Sequence, residues 1–118
     1  MLSETAIVTA IMDFADVCED PAPTAIHYVS GTRGALNRLT SQAEFEGVDA
    51  TTPAVLVEAI GHFKWRHSAP PGASPYTTGT AISLVISDLT GAVLDRGIGG
   101  EPHDLSSLGQ VHHPAVPG

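Results

Sequence analysis

The sequence predicts an α+β domain: two or three helices packed on a small, mainly antiparallel sheet built around a C-terminal β-hairpin. Three observations predict it. Residues 81–98 alternate apolar and polar side chains on both sides of a turn. Residues 3–20 and 52–67 place apolar side chains at helical spacing. Residues 25–30 (AIHYVS) have the composition of a short strand.

In chain order, Ser3 suits an N-cap and Glu4 the positive end of a helix dipole. Ile7, Ile11, Phe14, Ala15 and Cys18 form the buried stripe of this first helix, widened by Val8 and Met12. Pro21 and Pro23 end it. Ile26, Tyr28 and Val29 make the following strand. The stretch Gly31-Thr32-Arg33-Gly34 opens either a hairpin into residues 35–40 or, preferably, a helix to about Glu46. That helix has Leu36, Leu39 and Ala43 on one face and Gly47 as its stop.

Residues 52–67 read as the best helix. Thr52 is the N-cap and Pro53 the first helical residue. Val55, Leu56, Ala59, Ile60 and Phe63 form the stripe, and Lys64, Arg66 and His67 favour the last turn. Residues 68–79 are a Pro- and Gly-rich loop. The hairpin follows, with Ile82, Leu84 and Ile86 on one strand and Ala92, Leu94 and Ile98 on the other. Asp88-Leu89-Thr90-Gly91 is its turn, with Asp at the first position and Gly at the last. Gly99-Gly100 ends the pattern. Residues 1–100 therefore form a single compact domain, and 101–118 a C-terminal tail with a short helical turn near 104–108.

Composition narrows the function. The chain has 118 residues, enough for one core without staples. Thirteen acidic against five basic residues give a net charge of −8. With no basic cluster, neither nucleic acid nor an anionic membrane is expected as a partner. A basic protein partner or a small neutral or cationic ligand suits the charge. The single cysteine rules out an internal disulfide and fits a cytoplasmic protein. Only 15% of residues are charged, and the hairpin edge carries few of them, which predicts self-association as a homodimer or higher even-numbered oligomer.

Among the six histidines, His27 lies between Ile26 and Tyr28 and points to the opposite face from both. It is the best candidate for a general base, with Tyr28, Trp65 and Tyr76 as aromatic pocket walls. Arg33 is a candidate anion ligand at the entry to the second helix. Asp16, Glu19 and Asp20 crowd the end of the first helix as a docking patch. Val85 marks the second face of the hairpin, which one helical layer would leave for a partner.

Glu58 and His62 are read as a surface pair four residues apart, and no metal or other cofactor is expected. The preferred function is a small, self-associating, non-catalytic protein that binds a protein or small ligand. The alternative is a small hydrolase or isomerase with His27 as base.

Overall fold

The computed structural model describes residues 2–40, 51–66 and 69–117. Helix α1 (Glu4–Val17) is followed by strand β1 (Ala25–Thr32), helix α2 (Arg33–Thr40), and strands β2 (Pro53–Arg66), β3 (Tyr76–Ser87) and β4 (Val93–Gly99). A 3-10 turn, Leu105–Leu108, comes last. The four strands form one antiparallel sheet in the order β1-β2-β3-β4. The α+β class holds.

One element differs in kind from its expectation. Residues 53–66 form not a helix but a central strand, paired on both sides. Every residue of the run 54–59 is buried. A strand covered on both faces has no polar side, so it loses the alternation that betrays a half-buried strand. The residues at positions i, i+3 and i+4 that suggested a helical stripe belong to an almost unbroken apolar run. Pro53 marks a strand start, where a missing N–H is tolerated as it is at a helix start.

Ser3 Oγ caps α1 as expected, accepting from the Ala6 N–H at 3.1 Å. Ile7, Ile11, Phe14 and Ala15 of α1 cover one sheet face, packing with Ile26, Val57, Ile82 and Leu84. The second face has its own cover. Val29, Leu56 and Val85 lie beneath Leu36 of α2 and Leu105 of the 3-10 turn. Val85 is therefore 2% exposed, and the open second face expected from the hairpin is closed by the chain itself. Burying such a side chain contributes about 1.5–3 kcal/mol. Helix α2 spans the expected residues as far as Thr40, with Leu36 buried; the side chain of Leu39, and Ala43, Glu46 and Gly47, lie outside what is described.

The hairpin forms with Ile82 opposite Ile98 and Leu84 opposite Arg96. Its turn is held by Ser87, whose Oγ accepts from the N–H groups of Leu89 and Thr90, and Gly91 takes φ +76°. Asp88 instead accepts from the Leu2 N–H at 2.6 Å, tying the N-terminus to the turn. In β2 the register shifts between Ile60 and Phe63. There Asp20 accepts from the His62 N–H at 2.8 Å. A Cβ on Gly61 would lie 2.5 Å from the same carboxylate, so a larger residue there would displace Asp20 from its bond. The C-terminal segment adds a bridge to the outer edge of β1: the Tyr28 N–H donates to the His112 carbonyl at 3.0 Å, and the His112 N–H returns the bond at 2.9 Å.

Candidate functional site

The sheet register sets the site. His27 on β1 lies opposite Glu58 on β2, Glu58 opposite Ser83 on β3, and Ser83 opposite Gly97 on β4. These four residues form a row across the second face, next to the apolar row of Val29, Leu56 and Val85. A polar row at the margin of an apolar core demands partners, because an unpaired buried polar group costs about 1–3 kcal/mol.

Glu58, 1% exposed, finds three. His27 Nε2 lies 3.0 Å from Oε1, the His103 backbone N–H donates to Oε1 at 3.0 Å, and His103 Nδ1 lies 2.6 Å from Oε2. An ionised carboxylate only accepts, so both bonded ring nitrogens carry their protons. In neutral rings bonded this way, the remaining nitrogens, His27 Nδ1 and His103 Nε2, are the lone-pair bases. Strand pairing positions His27 and Glu58; the segment after β4 brings His103 over them. Asp104 fixes that segment, accepting from the Ser106 N–H and hydroxyl, which hold its carboxyl below the usual range.

Two hollows flank the Glu58–His103 contact. One, of about 320 Å³, is bordered by His27, His103, Asp104, Val111 and His113. The other, of about 260 Å³, is bordered by Glu58, Ser83, Gly97, Gly99, Gly100 and His103. The His27 and His113 rings stand 6.1 Å apart, centroid to centroid. Among the described residues, no group of three or more His, Cys, Asp or Glu is arranged to hold a metal ion.

The other residues singled out from the sequence do not join His27. Tyr28 faces the α1 side, donates to Glu4 at 2.9 Å and stacks on His112 at 4.8 Å. Burial, then the Glu4 bond and charge, push its phenol above the ordinary value. Trp65 meets Phe14 edge-on at 5.2 Å and borders a separate groove with Asp13 and Arg96. Tyr76 sits at the far end of the β2–β3 ribbon under Lys64 Nζ, 4.0 Å from its ring centroid.

The expected aromatic pocket around His27 is thus corrected: alternation sends Tyr28 to the opposite face, and the other two rings lie along the ribbon. Arg33 pairs with Asp95 at 3.6 Å. Asp16 and Glu19 are exposed at the end of α1, whereas Asp20 is engaged with the β2 bulge and Val85 is buried.

Sequence reasoning found His27 but not its partners. Residues 52–67 read as a helix, which puts Glu58 in a surface pair with His62. The signal that could have found it is a lone carboxylate in the apolar run 54–60. Ser83 carries no comparable mark.

The class these features define is an open antiparallel sheet with a carboxylate-bridged histidine pair on its second face. No family model, curated protein or solved structure matches the chain. No described helix is long and apolar enough to cross a membrane.

Proposed function

We propose that the protein is a small hydrolase or isomerase, with His27 and His103 acting as acid and base on a neutral or cationic small molecule held beside Glu58. The observation that carries this reading is the buried Glu58 carboxylate bonded to both imidazoles. A carboxylate in that position orients each ring, fixes its tautomer and stabilises the charge formed when a ring takes a proton. Three N–H bonds to one carboxylate leave each ring one free nitrogen, and both rings border the 320 Å³ hollow. Net charge −8 favours a substrate without negative charge.

A panel of aryl esters and carbon acids tests it, read as ester turnover and as deuterium uptake from heavy water. Glu58→Gln and His27→Asn should each slow the reaction that the wild-type chain catalyses by about 100-fold or more. Histidine nitrogen spectra should show a changed tautomer in Glu58→Gln. Wild-type rates in both variants would end the proposal.

A non-catalytic, self-associating binding protein is the second reading. It is favoured by the outer edge of β4, which pairs with no strand among the described residues. A homodimer through that edge is compatible with either reading. The lone buried Cys18 suits a cytoplasmic location for both.

A further inference from the structure

We infer that Ser83 is a nucleophile, acylated with His103 as its base and Glu58 as the group that orients His103. The inference rests on the acid–base reading above and adds to it a reaction class, acyl transfer from small esters or thioesters.

Four observations converge on it. Glu58 Oε2 engages His103 at Nδ1 at 2.6 Å, which leaves Nε2 as the reactive nitrogen. A serine base needs that arrangement: carboxylate on one ring nitrogen, hydroxyl on the other. Ser83 lies directly across the strand pair from Glu58 and borders the same 260 Å³ hollow as His103. Ser83 is 8% exposed, and its hydroxyl makes no hydrogen bond to the described residues.

The fourth observation is Gly97, opposite Ser83 on β4. A Cβ there would stand 2.8 Å from Ser83 Oγ. Glycine leaves the hydroxyl uncovered, and Gly99 and Gly100 continue a rim of bare backbone along the hollow. The hollow has room for a short acyl group, several waters' worth of volume at about 30 Å³ each. Glu101 on its border disfavours an anionic acyl chain.

The chemistry balances without a further reagent. Ser83 Oγ attacks the ester carbonyl carbon as its proton passes to His103 Nε2. The carbon–oxygen bond to the alcohol breaks; an alkoxide takes that proton as it leaves, whereas nitrophenolate leaves as the anion and the proton passes from Nε2 to water. Water then attacks the acyl-serine with its proton passing to Nε2, and the proton returns to Ser83 Oγ as the acid departs. In a free enzyme the serine–histidine contact is commonly long and closes when substrate binds.

p-Nitrophenyl acetate is the probe, used on the full chain. The expected result is a rapid release of one nitrophenolate per chain and an acetyl group mapped by mass spectrometry to Ser83. Ser83→Ala should lose both. His103→Asn and Glu58→Gln should slow acylation by about 100-fold or more. Gly97→Ala should slow it as well, since its methyl crowds Oγ but touches neither His103 nor Glu58. Should Ser83→Ala fail to fold, Ser83→Cys takes its place, with acetyl expected on the sulfur.

No acetyl at Ser83, or acetylation there that is independent of His103, overturns the inference. The two readings fail differently. If Ser83→Ala turns over ester at the wild-type rate while Glu58→Gln does not, the serine is excluded and the acid–base reading stands. If both variants keep the wild-type rate, both readings fall.

Discussion

Cys18 closes α1 with a fully buried thiol. Burial first, and the neighbouring Glu19 charge second, push that thiol up to about 11 from an ordinary 9.0. The folded chain therefore keeps a proton that the unfolded chain gives up above pH 9. The stability tied to it is complete below pH 9 and is lost as pH rises toward 11. Urea midpoints should fall across that window in the wild-type chain and fall less in Cys18→Ala; parallel curves would show that the thiol does not couple to folding. At this scale the sequence was readable where a residue's neighbours along the chain decide its fate. Ile26 and Tyr28 on either side of His27 indicate its face. Glu58 depends on partners 31 and 45 residues away, and neither separation leaves a local mark.

At the scale of elements, α1 followed from period and cap because it has one wet side, and the hairpin, although buried throughout 81–87, followed from the serines that break its apolar run and from its turn at 88–91. β2 has no wet side along 54–59, and its apolar run fits either period. A helix at that position puts both the partner of His27 and the cover of Val85 out of reach. The segment after β4 was harder still, since a 3-10 turn and a single bridge have no period to detect. Yet that segment supplies His103 to Glu58 and plugs the second core with Leu105, which is 2% exposed against Val29, Leu36 and Val85. Leu105→Ala should cost about 2–5 kcal/mol in chemical denaturation and also loosen the bond between His103 and Glu58. Amide exchange at His103, whose N–H is held by Glu58, should quicken with it. A variant as stable as wild type, with unchanged exchange, would mean that the segment merely rests on the sheet.

The whole molecule has a sheet with both faces covered and two unlike edges. β1 has its outer edge bridged by His112. β4 has an outer edge without a described partner, and Asp95 and Arg96 are its only charges. Asp95 is drawn to Arg33, which leaves Arg96 as the exposed charge along that strand. Natural edges are commonly blunted by charge, proline or cover, and β4 has little of any. Antiparallel pairing of β4 with β4 of a second copy would satisfy both edges at once and close the assembly by two-fold symmetry. The face-to-face dimer that the hairpin suggested is excluded as a route, because Val85→Glu would bury a charge in the second core and unfold the chain instead of separating copies. The variant that tests the edge is Arg96→Asp. It places like charges along the pairing line on both copies while leaving the covered faces alone. Sedimentation equilibrium at micromolar concentration should give a dimer mass for the wild-type chain and a monomer mass for Arg96→Asp, with unchanged circular dichroism in both. A wild-type monomer would leave the β4 edge free in solution, and a variant dimer would move the interface to another surface.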